Sequence, residues 1–272
     1  MIGRPAFRIP RGLAGSWRAA ALILALALGL MTLLAPACGG KKKRPVRPSS
    51  EEQYRTATAL MQKGKYFRAR QILSDIGFRE LQDTTLDPLV KLALADAYFL
   101  DGGIANIIEA QSRYEQFLNF YPSHEKAAYA QYQIGFCLFK QSAKPSNDQE
   151  YTRRALAEFE KVRGINPSSE YVAQADQMMD KCREKLARHE FIVGLFYLNR
   201  KACAAAAGRF REILKEYPHF SDAAGAHYYL GESLLCSNNV EEGKIYLSKL
   251  INDYPNSEYA AKAREVLASR PG

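Results

Sequence analysis

The chain has 272 residues, 47% of them hydrophobic and 25% charged, with a formal net charge of +9. The excess is confined to the start: Arg4, Arg8, Arg11 and Arg18, then Lys41, Lys42, Lys43, Arg44 and Arg47, leave residues 51–272 with 29 basic and 29 acidic side chains. A nucleic-acid binder needs its basic face on the folded body, so this balance argues against that class despite the high pI.

The first elements are those of export. Four arginines without an acidic residue precede an apolar run over residues 19–34, and Ala35, Pro36, Ala37 and Cys38 follow; this is the order of a secretory signal peptide, expected over residues 1–37. The run is shorter than the roughly 20 residues that span a bilayer, so an uncleaved anchor would have to borrow the Ala-Pro-Ala-Cys that follows. The phrase LLAPACGG resembles a bacterial lipobox, which makes Cys38 the expected lipidation site, carrying diacylglycerol and acyl chains, with no other cofactor expected. Gly39 after it resembles outer-membrane sorting. Residues 38–50 then read as a lipidated basic tether, GGKKKRPVRPSS having no apolar periodicity. At about 3.3 Å per residue it can hold a body no more than roughly 40 Å from the lipid.

From residue 51 onward the sequence repeats. An aromatic or apolar helix end, a proline and an Ala-rich helix start recur as FLNFYPSHEKAAYAQYQIG, KVRGINPSSEYVAQADQ, ILKEYPHFSDAAGAHYYLG and LINDYPNSEYAAKAREVL, with Pro122, Pro167, Pro218 and Pro255 spaced by 45, 51 and 37 residues. Spacings near 34 residues plus insertions are those of tetratricopeptide hairpins, pairs of amphipathic helices that cross at small residues and bury their stripes only by stacking. The prediction is an all-α solenoid of about five hairpins plus a C-terminal capping helix.

Ala57 and Ala69 are the expected crossing residues of the first hairpin, with Gly64 at its turn. In the second, Leu94, Ala95 and Tyr98 face Ala110, Tyr114 and Phe117, with the turn spread over residues 101–106. In the third, Ile134, Gly135 and Leu138 oppose Ala155, Phe159 and Val162 across a surface loop, SAKPSNDQ. Residues 169–188 form a rigid connector running into the fourth hairpin, with Gly194, Ala206 and Phe210; the fifth has Gly231, Gly243 and Leu247; and a helix over about 257–269 caps the stack. Two halves follow, residues 51–168 with hairpins one to three and residues 169–272 with the connector, hairpins four and five and the cap. Cys137, Cys182, Cys203 and Cys236 have apolar helical neighbours that favour small buried hydrophobes, with one or two disulfides as the other reading.

Enzyme signatures are missing. His124, His189, His219 and His227 show no metal-ligand spacing, and there is no nucleophile elbow or phosphate-cradling glycine loop, so neither catalysis nor a metal is expected. What remains is a concave face lined by the first helix of each hairpin. Placing those helices by their small residues gives a groove of Tyr54, Thr58, Met61, Asp96, Phe99, Tyr132, Phe136 and Phe139, suited to an extended or helical peptide.

The stretch NDQEYTRRALAEFEKVRGINPSSEYVAQA goes beyond a generic repeat. With Asp148, Gln149, Thr152, Ala155, Phe159, Pro167, Ser169 and Tyr171, and with Leu186, Ala187, Glu190, Tyr197, Ala206 and Arg209 after it, the chain resembles the BamD family of tetratricopeptide lipoproteins in the outer-membrane β-barrel assembly machine. It departs from the family pattern at GFRELQDTTLD after the first hairpin, in a short third-hairpin loop and in a longer C-terminal phrase. The resemblance implies a protein anchored in the outer membrane and facing the periplasm. It also implies partners: the POTRA domains of BamA, unfolded outer-membrane β-barrel proteins and the machine's other lipoproteins. BamA docking falls by this likeness around Glu190, Tyr197 and Arg209, and substrate in the Tyr54-to-Phe139 groove, which implies a substrate side for residues 51–168 and a docking side for residues 169–272. Another repeat-bearing lipoprotein, a pilotin or an envelope coordinator, is the alternative.

Overall fold

A computed structural model describes residues 48–77 and 85–269. The leader, Cys38, the basic tether up to residue 47 and the segment after the first hairpin lie outside the described residues. Within them the chain is eleven α-helices: α1 Ser50–Gln62, α2 Tyr66–Gly77, α3 Leu86–Asp101, α4 Ile104–Phe120, α5 Ala127–Gln141, α6 Glu150–Ile165, α7 Tyr171–Asn199, α8 Cys203–Glu216, α9 Ala223–Cys236, α10 Val240–Asp253 and α11 Glu258–Ala268. Consecutive helices pack on each other, as in a stack of hairpins.

Local chemistry sets the ends. The Ser49 hydroxyl accepts from the Glu52 amide at 3.1 Å, and Ser257 caps α11 the same way through the Tyr259 amide, each satisfying a donor that a helix start leaves open. Gly64 turns the first hairpin at φ +68°. The second turn is tighter than the expected residues 101–106: Gly102 and Gly103, at φ +73° and +78°, reverse the chain alone, so α4 already begins at Ile104.

Small residues make the crossings. A methyl group on Gly135 would sit 2.7 Å from the Phe159 ring, one on Gly194 2.7 Å from Phe210, and one on Gly231 2.6 Å from Leu247. Ala57 and Ala69 have no exposed surface at the first crossing. The core is four successive clusters. Hairpin one packs with α3 around Leu73 and Ile76; α3 to α7 pack around Tyr114, Phe117 and Phe159; α7 to α9 around Phe191 and Phe210; and α9 to α11 around Leu247 and Leu250.

Three expectations change. Leu94 is buried with the first-hairpin residues while its neighbour Ala95 packs with Ala110, because successive helical residues point about 100° apart and cannot both face α4. The SAKPSNDQ loop is not all surface: Gln149 is buried, donates to the carbonyls of Lys144 and Asn147, and accepts from Thr152. The same loop is tied to α7, where Lys185 Nζ donates to Ser142 Oγ at 2.6 Å and His189 Nδ1 lies 2.7 Å from the Pro145 carbonyl. The cysteines divide between the two readings, Cys203 and Cys236 forming a disulfide while Cys137 and Cys182 are buried thiols.

The expected connector is one helix with the first arm of hairpin four. α7 runs for 29 residues, about 43 Å, and contributes its first half to the second cluster and its second half to the third. The capping helix α11 buries only Ala260 and Ala263, leaving its other face polar as the end of a stack requires.

Candidate functional site

The groove residues sit on α1, α3 and α5, the first helices of three consecutive hairpins. At their centre is Asp96. Its Oδ1 accepts from the Tyr114 hydroxyl at 2.6 Å and the Tyr129 hydroxyl at 2.7 Å. Burial raises the carboxyl pKa, and those two hydrogen bonds oppose the rise. Burial also raises Tyr54 and Tyr129, with the nearby Asp96 charge adding to both. Tyr114 and Tyr129 are therefore held as neutral donors to one carboxyl, with Tyr54 nearby.

The aromatic members form a chain of ring contacts. Phe99 meets Phe136 at 5.6 Å between centroids, Phe136 stacks on Tyr132 at 5.9 Å, and Tyr132 reaches Phe159 at 5.6 Å and Tyr171 at 5.7 Å. Phe139 lies beneath the Lys185 ammonium at 5.3 Å. Phe159 is buried in the second cluster, and each of the other rings is half-buried, one side packed on that cluster. Such a ring is fixed in place and still presents an edge or face.

Tyr54 and Met61 pack on the first cluster, while the Thr58 hydroxyl donates to the Arg55 carbonyl within its own helix. The Thr58 donor is thus used inside its own helix, leaving only its oxygen lone pairs for a ligand. Sequence reasoning missed Tyr114 and Tyr129 as partners of Asp96 and placed Tyr171 only in a family phrase. No local spacing announces a hydrogen bond across 18 or 33 residues.

The second expected site is assembled across a helix pair. Arg209 Nη1 on α8 donates to Glu190 Oε2 on α7 at 2.9 Å. Partial burial lowers the guanidinium pKa, but the Glu190 hydrogen bond and charge, with Glu212 and Tyr197 behind them, raise it overall. Glu190 is largely covered, and Arg209 keeps over a third of its side-chain surface. The geometry is a half-open charged node in which Glu212 also lies 3.9 Å from Arg209 Nη1 and part of the guanidinium stays exposed.

Other chemistry is sparse. Among the described residues no group of three or more His, Cys, Asp or Glu side chains is placed to hold a metal ion, and no helix is long and apolar enough to cross a membrane.

Residues 226–257, which span the Gly231–Leu247 crossing of α9 and α10, match a tetratricopeptide repeat family. Residues 47–234 match the family described as Outer membrane lipoprotein, YfiO. Among curated proteins, the outer membrane protein assembly factor BamD of Rickettsia prowazekii is 28% identical over 79% of this chain and 84% of its own length. The BamD proteins of Caulobacter vibrioides and Xylella fastidiosa are 26% and 27% identical, over 85% and 86% of this chain and 75% and 79% of their own lengths. The family match begins three residues before the first described helix, covers α1 to α8 in full and α9 as far as residue 234, and takes in both the aromatic face and the Glu190–Arg209 node. On that breadth of agreement, the chain belongs to the YfiO family of outer membrane lipoproteins.

Proposed function

We propose that this protein is a lipid-anchored scaffold for outer-membrane protein assembly, held through acyl chains on Cys38 at the periplasmic face, that binds other proteins and does no covalent chemistry. The observation that carries the reading is the continuous family match over the solenoid, in a lineage whose curated members are named as outer membrane protein assembly factors.

In this reading the α1, α3 and α5 face receives unfolded barrel proteins. Half-buried rings offer apolar pockets at little entropic cost, and the Asp96 group accepts amide donors of an extended chain. The α7–α8 node docks the POTRA domains of the barrel-forming partner BamA, Arg209 holding Glu190 while its outer edge faces a partner acid.

The docking arm is tested by charge exchange. Arg209→Glu alone puts two carboxylates side by side and should abolish recovery of BamA in a pull-down. Combining it with Glu190→Arg restores the internal pair, and recovery should stay lost, because a partner acid would then meet the wrong sign. Full recovery in the exchanged protein makes the pair merely structural. For the groove, Phe99→Ala with Tyr132→Ala should weaken crosslinking to barrel C-terminal peptides several-fold, with circular dichroism confirming the helical fold. Undiminished crosslinking in folded protein rules that surface out.

A further inference from the structure

The turns within the first two hairpins carry a second surface. Phe67, on the first turn of α2, is 62% exposed, and around the α3–α4 turn Leu100, Ile104 and Ile108 are 52%, 61% and 51% exposed. One node holds them together. The Arg70 guanidinium lies 4.4 Å from the Tyr98 ring centroid and 5.8 Å from that of Phe67, and donates to Asp101 Oδ2 at 2.6 Å and Asn106 Oδ1 at 2.9 Å. The start of α2 is thereby fixed against the α3–α4 turn, with the Asp101 charge paired to Arg70. Lys63 and Lys65 are exposed in the adjoining α1–α2 turn, and Lys140 borders the same depression as Leu100 and Ile104.

Apolar side chains on turns, with ammonium groups beside them, suit the boundary of a bilayer, where rings and branched chains enter the acyl region and lysines stay with phosphates. Two observations name that occupant. The tether adds five cationic side chains of the same sign as the patch, complementary to anionic head groups. Its length fits as well: eleven residues between Cys38 and Ser50 keep α1 within roughly 40 Å of an anchored lipid, and α1, about 20 Å long, has the lysine turn at its far end. Anchorage raises the local lipid concentration, so a weak contact is enough.

We propose that the Phe67, Leu100, Ile104 and Ile108 patch with Lys63 and Lys65 rests on anionic phospholipid head groups and so orients the solenoid on its membrane. The inference rests on the lipid anchor of the proposed function. Because the chain's one tryptophan is Trp17, in the leader, residues 39–272 contain none and can carry a single reporter. All four core clusters of the described residues fall within that span, so the reporters can be carried on it. Ile104→Trp and, separately, Phe67→Trp are placed on the patch, and His219→Trp on the exposed α8–α9 turn as a control. Each protein is held by an N-terminal histidine tag on vesicles of phosphatidylglycerol, acyl-brominated phosphatidylcholine and a nickel-chelating lipid.

The two patch reporters should lose most of their fluorescence and the control should keep its own. Lys63→Ser with Lys65→Ser should weaken the contact on the order of tenfold or more. Quenching at neither patch position, equal quenching at the control, or quenching unchanged when phosphatidylglycerol is omitted overturns the proposal. The artificial anchor separates this from the tether: an unmodified Cys38, seen by mass spectrometry of the membrane-extracted protein, would refute the native anchor and leave the vesicle result standing.

Discussion

A single methyl group decides more in this chain at a crossing than anywhere else. Gly194→Val would drive side-chain carbons into the Phe210 ring, already within 2.7 Å of an added Cβ, and should cost about 1–3 kcal/mol in urea unfolding. Gly208, on α8, has nothing within 4 Å of an added Cβ, so Gly208→Ala should stabilise by up to about 1 kcal/mol in the same assay. Asp96 offers a pH test. Its pKa is raised in the fold, so between the ordinary carboxylate range and that higher value the folded chain binds more protons than the unfolded one. Stability then falls as pH rises through that window. Asp96→Asn should flatten this component, read as the difference between the urea midpoints of the two proteins across the acidic range; identical pH profiles would remove Asp96 as its source.

At the scale of elements, the disulfide and the long helix both join neighbouring units. Cys203 opens α8 and Cys236 ends α9, closing a loop with a separation of 33 residues. A closure of that length stabilises by roughly 3–4 kcal/mol in the chain-entropy account. Reductant should therefore lower the melting temperature of the wild type and leave that of a Cys203→Ser, Cys236→Ser protein unmoved. Burial pushes the Cys137 and Cys182 thiols up to about 12, so neither should react with iodoacetamide at neutral pH until the chain is unfolded. α7 carries the coupling between halves, since its residues serve two clusters at once.

For the whole molecule, stability is a sum over neighbours, because each cluster is shared only by adjacent helices. Deleting α11 should uncover the Leu247 and Leu250 cluster and speed amide exchange in α9 and α10, while the α5–α6 pair keeps its protection. Uniform acceleration along the chain would show a single cooperative core instead. The neutral charge balance of residues 51–272 says nothing of where those charges lie, so composition alone hides the patch.

The repeat frame was legible from residue order because it is written locally. Gly135, Gly194 and Gly231 opposite large side chains, and a proline after the second helix of every hairpin but the first, specify close crossings and stops whatever the neighbours do. The phrase from Asp148 to Tyr171 placed the chain in its family for the same reason. What the tertiary structure decided involves partners far apart in the chain: which two of four cysteines pair, that Asp96 is held by Tyr114 and Tyr129, and that Arg70 gathers Phe67 and the α3–α4 turn into one surface. Helical periodicity says which face a residue occupies but not which residue lies opposite, and that depends on how each hairpin is rotated on the one before it.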